Sequence, residues 1–405
     1  MSHITQHRLA FVLAIVVALG PFALDAYLPA FVVIGREFGL ATSEVALTLS
    51  VYVLGMAIGQ LIGGPLSDRH GRALILFSGI ACFILGSIVV AVAPSMEWML
   101  IGRFIQAFGG GWSTVNVPAI VRDRTEGNET ARLFSLIAMI MFIAPAIAPS
   151  IGSGLLELGG WRSIFYFQAV YALFAAFLLR MTLFNSEAPR TEKSAEPLHR
   201  LLTNYLEVLK HRDAMRFMVM QSFSFSIMLV YLGHAAFIYQ EWMGFSNLGF
   251  SLLFAANVGV MTVMSLLNRR LLLSWKSADV LTLGLGVQAL ALLAFGAVVL
   301  FELPPLLAVP ALALTVGSMG AIAPNNMASA LQYFRKLAGT AAALIGAMQF
   351  SVAGAISALS ASIAGDEIVM TVLMMAGCAA VPLLLIWPAR RAALRGVDRT
   401  ADETA

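Results

Sequence analysis

Hydrophobic residues in this chain come in blocks of about twenty, separated by short polar and charged segments. A membrane-crossing helix needs about 20 mostly apolar residues at ~1.5 Å rise each, and twelve stretches qualify. The first half predicts spans at Leu9–Val33, Val45–Leu66, Ala73–Ala93, Trp98–Val121, Leu133–Leu156 and Ser163–Phe184. The second half predicts Phe217–Tyr239, Gly249–Leu267, Val280–Phe301, Leu306–Leu331, Ala338–Ala364 and Ile368–Trp387, with Pro310 and Pro324 interrupting the tenth. The first run exceeds the ~7–15 residues of a signal-peptide core and is read as a retained helix.

The longest hydrophilic segment, residues 185–213, reads as a cytoplasmic linker, helical near Tyr205 to Lys210. It divides the chain into residues 1–184 and 214–405, the latter ending in a short basic tail. Arg69 in the loop between spans 2 and 3 matches Arg269 between spans 8 and 9, a weak internal repeat of about 200 residues. Repeated halves are a transporter signature, with the substrate site expected near the midplane. The expected fold is therefore an all-α membrane protein of two pseudo-symmetric six-helix bundles.

Charge sets the orientation. Of 25 Lys and Arg, placing both termini in the cytoplasm leaves only Arg36 and Arg162 outside and Arg103 inside a span; the other 22 fall on the inner side. That asymmetry follows the positive-inside rule. Composition agrees: of 405 residues, 60% are hydrophobic and 12% charged, and mean hydropathy is +0.86, against about 25% charged in a soluble domain. The basic residues sit in short clusters between apolar runs, so the net charge of +3 marks topology rather than a nucleic-acid surface. Cys82 and Cys378 lie far apart in apolar runs, which supports neither a disulfide framework nor a metal site.

Two charged side chains lie inside these runs. Asp25 falls about 24 Å along span 1, where a carboxylate needs a partner or a proton; the alternative is a helix that ends before Tyr27-Leu28-Pro29, leaving Asp25 at the interface. Arg103 in span 4 lies at a comparable depth, beside Gln106 on the same helix face and near Gly109, Gly110 and Gly111, which admit a close backbone. The reading pairs Asp25 with Arg103 as a protonation-sensitive site, against an arginine that snorkels to headgroups. His234 is the counterpart of Asp25 in span 7, a group able to titrate at physiological pH or simply to bond backbone or water. Tyr27, Tyr52, Gln60, Gln106, Asn116, Tyr231, Tyr239, Asn257, Gln288 and Gln349 are candidates for a cavity with few polar anchors among apolar walls, or for interhelical bonds. Met139 and Met141, among 20 methionines, suit adaptable binding, the alternative being packing or lipid contact.

Between spans 2 and 3 stands Gly64-Pro65-Leu66-Ser67-Asp68-Arg69-His70-Gly71-Arg72. It is a sharp basic turn in which Gly71 can adopt positive φ and Asp68 can pair with arginines or a helix N-terminus. In this loop of a twelve-span chain the motif resembles the signature of the major facilitator superfamily. Asp25-Ala26-Tyr27-Leu28-Pro29 resembles the D-x-Y-L-P segment of its Bcr/CflA drug exporters. Arg103-Phe104-Ile105-Gln106-Ala107-Phe108-Gly109 is similar to the family's span 4 motif, and residues 144–152 (APAIAPSIG) resemble its span 5 antiporter motif. Trp161-Arg162-Ser163-Ile164-Phe165 and Ala338-Gly339-Thr340-Ala341 with Gln349 fit further family patterns. Ala144 and Ala148 replace glycines of the broader motif, so bending of span 5 is expected to rely on Pro145 and Pro149. The second-half copy of the loop motif, at Asn268-Arg269-Arg270, lacks its aspartate and glycine, and Ala235-Ala236 follows His234 where many members carry proline.

The resemblance implies proton-coupled efflux of small amphipathic compounds, such as antibiotics, across a bacterial inner membrane. Asp25 and Arg103 would couple the proton, which is the only cofactor-like species expected. The Gly64–Arg72 loop with Pro145 and Pro149 would gate, and Tyr27, Tyr52, Gln106, Asn116, Tyr231, His234, Tyr239, Asn257 and Gln349 would face substrate. The expected partners are a small molecule and the bilayer, with no nucleic acid and no metal, and the protein is expected to be a monomer and not an enzyme. A metabolite exporter of the same superfamily is the alternative, and a membrane-embedded enzyme or channel the more distant ones.

Overall fold

A bilayer offers peptide groups no water to bond, so apolar runs of this length must satisfy their N–H and C=O groups internally, as helices do. In the computed structural model, helix is the only regular element among the described residues: 3–124, 128–182, 198–334 and 337–402 for the backbone. Their side chains are described except at 3–10, 68, 122–132, 134–136, 138–142, 198–202, 338–339 and 390–402. The side chains of Asp68, Met139 and Met141, and linker residues 185–197, therefore lie outside the described residues.

The chain packs as two units, Met1–Ala195 with Phe245–Ala255, and Glu196–Gly244 with Ala256–Ala405. The first holds α1 (His3–Asp25), α2 (Phe31–Phe38), α3 (Thr42–Val45), α4 (Leu47–His70), α5 (Arg72–Ala91), α6 (Met96–Arg124) and α7 (Asn128–Thr182). Here α6 packs against α4 and α5, and α7 against α1 and α5. Small residues let the backbones touch: a Cβ added at Gly109 would lie 2.3 Å from the Gly79 carbonyl oxygen, the close approach on which membrane helix packing depends.

The second unit holds α8 (Leu198–Lys210), α9 (Arg212–Ala236), most of α10 (Asn247–Leu271), α11 (Ser277–Leu300), α12 (Ala308–Gly317), α13 (Met319–Leu331), α14 (Ala338–Ala364) and α15 (Ile368–Asp402). Its centre is α9, packed against α13, α14 and α15, with Phe217, Met218, Leu281, Ile322 and Ile345 in one buried cluster.

Ten helical segments among the described residues are long and apolar enough to cross a bilayer. They do not include α6, the helix that carries Arg103, and Ile143–Thr182 is one of them as a single segment. Three predicted boundaries change. The first span runs to Phe38 rather than Val33, because apolar residues continue beyond a break after Asp25. The predicted spans 5 and 6 are joined in α7, whose 55 residues contain non-helical backbone only at Gly159 and Gly160. Gly160 takes φ +71°, a conformation that costs glycine little and other residues more. The predicted basic tail continues α15 as helix to Asp402.

Candidate coupling site

Pro29 cannot donate a helical hydrogen bond and restricts the residue before it. Accordingly α1 ends at Asp25, a 3-10 turn forms over Leu28–Ala30 with the Ala30 N–H bonded to the Tyr27 carbonyl at 2.9 Å, and helix resumes as α2. The break lies within the span, and residues 26–31 are buried throughout. Asp25 itself is only 6% exposed, so the early helix end does not deliver it to the interface.

A helix that stops inside protein leaves carbonyls at its negative end in need of donors. Two side chains supply them. Arg103 Nη1 on α6 donates to the Ala23 carbonyl at 3.0 Å, and Gln168 Nε2 on α7 donates to the Phe22 carbonyl at 2.9 Å. From the other flank, α7 presses against the break so closely that a Cβ at Gly152 would fall 1.6 Å from the Ala26 carbonyl oxygen.

Arg103 is fully buried. Its guanidinium lies over the Tyr27 ring at 4.3 Å and the Tyr52 ring at 4.2 Å, with Phe165 at 5.9 Å, and Nη1 also donates to Gln106 Oε1 at 2.6 Å. Gln106 Nε2 donates to Ser87 Oγ at 2.8 Å and to Gln168 Oε1 at 2.7 Å. Tyr27 Oη bonds Thr48 Oγ1 at 3.0 Å. The Tyr52 hydroxyl has no hydrogen-bond partner among the described residues.

This corrects the expected direct pair. No ion pair within 4.0 Å joins Asp25 to Arg103. The physical reason is that a helix-end carbonyl, an amide oxygen and two ring faces already accommodate the cation. Both charges are nevertheless within electrostatic range of Tyr27 and Tyr52. The snorkelling alternative for Arg103 is excluded by its burial. Gln106 is spent on internal bonds, with no exposed surface.

In the loop expected to gate, α4 continues through Pro65 to His70, and Gly71 turns the chain at φ +98°. Arg72 Nη1 donates to Ser67 Oγ at 2.6 Å, Ser67 Oγ donates to the Gly64 carbonyl at 3.1 Å, and Arg69 is exposed. Helical backbone passes through Pro145 and Pro149, so the interruption of α7 sits at Gly159–Gly160 instead. The Pro149 carbonyl accepts from Ser251 Oγ at 3.1 Å, and Ser251 also bonds Ser153 Oγ at 2.8 Å. Trp161 Nε1 and Arg162 Nη1 each donate to a Glu37 carboxylate oxygen at 2.6 Å, tying α7 to the end of α2.

The remaining predicted residues fall into separate groups. Asn116 on α6 donates to the Trp112 carbonyl at 2.7 Å, and its buried Oδ1 has no partner among the described residues. In the second unit, Asn257 Nδ2 donates to Tyr231 Oη at 2.5 Å and Tyr239 Oη at 3.0 Å. His234 Nδ1 bonds the Val230 carbonyl at 3.0 Å, and Asp366 is within electrostatic range of it. Gln349 Oε1 accepts from Gln221 Nε2 at 2.7 Å, and Gln288 Nε2 donates to the Thr315 carbonyl at 3.2 Å. Sequence reasoning passed over Gln168, Ser87, Thr48 and Gln221. A lone glutamine in the apolar run after Ser163 was the signal for Gln168.

The model of the Major Facilitator Superfamily matches residues 13–358. The chain belongs to that superfamily. As a superfamily member it is similar to the "Bicyclomycin resistance protein homolog" of Haemophilus influenzae, 29% identical over 376 residues, covering 92% of this chain and 93% of the relative. It also resembles the "Multidrug resistance protein MdtL" of Salmonella heidelberg, 27% identical, with 92% of each chain covered. In fold this superfamily member matches the crystal structure of a D-xylose–proton symporter at TM-score 0.76 and 15% identity, over 95% of this chain and 98% of the other. It is thus a multi-pass membrane protein of the transporter fold.

Proposed function

We propose that this protein exports small amphipathic compounds, antibiotics among them, in exchange for protons. It would act in a bacterial inner membrane as a twelve-helix chain with both termini cytoplasmic. Two sources support the reading. Relatives named for bicyclomycin and multidrug resistance match over most of the chain, and among the described residues a single acid, Asp25, is buried, at a break in the first span. That burial is the observation that carries the proposal, because a carboxyl inside a membrane span is costly and rare, and such residues mark ion and proton pathways.

The geometry changes how the proton would act. Protonation of Asp25 would not release Arg103 from an ion pair. It would alter the charge at the end of α1, beside a cation held on the neighbouring Ala23 carbonyl, and so bias the break at residues 26–30 between arrangements. Broken spans at binding sites are a recurrent means of alternating access. The test is drug-driven proton movement in proteoliposomes with a panel of antibiotics and metabolites. Wild type is expected to exchange protons for antibiotics and Asp25→Asn to lose the exchange; equal coupled transport by both would end this reading.

A further inference from the structure

We propose that Gln168 is the positioning residue that orients Arg103 and ties down the last turn of α1 during coupled transport, an inference that rests on the exchange reading above. The hydrogen-bond polarity leaves one arrangement. A guanidinium only donates, so Gln106 must turn Oε1 toward Arg103 Nη1. Its Nε2 then has two hydrogens to place. Ser87 takes one, because the Ser87 hydroxyl spends its own hydrogen on the Phe83 carbonyl at 2.8 Å. Gln168 Oε1 takes the other, which forces Gln168 Nε2 toward the Phe22 carbonyl. Flipping either amide would set donor against donor or oxygen against oxygen.

Gln168, only 1% exposed, thus performs two tasks at once. It holds the amide that holds Arg103, and it grips α1 at Phe22, next to the Ala23 carbonyl that Arg103 grips and three residues before Asp25. A movement of that turn away from both α6 and α7 breaks the two grips. The fold does not hang on this side chain. The same face of α7 is fixed to α1 by Tyr171 Oη donating to the Ile15 carbonyl at 3.0 Å and by ring contacts of Phe22 with Phe167 and Tyr171 at 5.8 and 5.2 Å.

Two substitutions separate the role from simple packing. Gln168→Leu fills the space and deletes the relay. Gln168→Glu rebuilds it only while protonated, when its O–H can donate to the Phe22 carbonyl and its other oxygen can accept from Gln106; the ionised form cannot donate. Among the described residues, the buried titratable or charged groups on the elements packed here are Asp25 and Tyr27 from the first span, Tyr52 from α4 and Arg103 from α6, with half-buried Tyr171 on α7 itself bonded to α1.

Drug-driven proton flux in proteoliposomes, measured across pH with kcat and KM resolved and with thermal unfolding in detergent alongside, tests the assignment. Gln168→Leu is expected to lower kcat about tenfold or more at every pH while KM stays within about twofold. Gln168→Glu is expected to approach wild type at the acidic end and to fall toward Gln168→Leu as pH rises. Variants that follow the wild-type profile, or a Gln168→Glu protein that matches Gln168→Leu at every pH, overturn the role. Absence of exchange in the wild type overturns the functional reading and this role with it, a result distinct from wild-type exchange with unaltered variants.

Discussion

Arg103→Lys distinguishes a point charge from a shaped cation. If position 103 needed only a positive charge facing Asp25, lysine would serve. The structure asks for more. Nη1 forks between the Ala23 carbonyl and Gln106 Oε1, and the planar group lies between the Tyr27 and Tyr52 rings at 4.3 and 4.2 Å. A desolvated ring face is worth about 1–2 kcal/mol to a cation, and a hydrogen bond to a charged donor about 1.5–3 kcal/mol. Lysine keeps the charge but not the flat fork. Losing part of the stacking and roughly one of the two bonds leaves a deficit of about 2–3 kcal/mol. At about 1.4 kcal/mol per tenfold, transport through the correctly held state falls roughly 30- to 140-fold. The melting temperature of a unit this size drops by about 5–10 °C. Thermal unfolding in detergent and efflux from everted vesicles measure the two effects. A lysine variant with wild-type melting and wild-type efflux would refute the cage argument.

Other outcomes follow from the same contacts. Asp25→Asn should melt within about 2 °C of wild type or above it, since no ion pair is lost and a neutral amide of the same size fills the buried site; a large drop in melting temperature would reveal a bonded partner. Gly152→Ala should cost about 3 kcal/mol or more through overpacking against the Ala26 carbonyl, read as lost folded yield on size-exclusion chromatography. Tyr239→Phe removes one acceptor of Asn257 Nδ2 and leaves a buried N–H short of a partner, a loss of about 1–3 kcal/mol measurable by thermal unfolding; the double variant with Asn257→Leu should recover part of it.

Most of the apolar spans, the loop motif between two of them and the two buried charged residues were legible without a structure, because each is a local property. Hydropathy adds along a segment, loop charge is counted loop by loop, and an Asp or Arg inside an apolar run is conspicuous wherever the helix points. The break after Asp25 was legible in Pro29, although not its consequence, since a proline marks where a helix stops but not whether water or protein meets the stop.

What surrounds Arg103 was not legible, and the reason is rotation and register. The Ala23 carbonyl is 80 residues away, Gln168 is 62 residues from Gln106, and Phe22 is 146 from Gln168. Which side chains meet across such distances depends on how each helix turns about its axis and slides along it. Those settings come from backbone contacts at small residues such as Gly152 and Gly109 rather than from any local pattern. Charge matching by type therefore paired the lone acid with the lone base, whereas the packed helices gave the arginine one carbonyl, an amide and two aromatic faces.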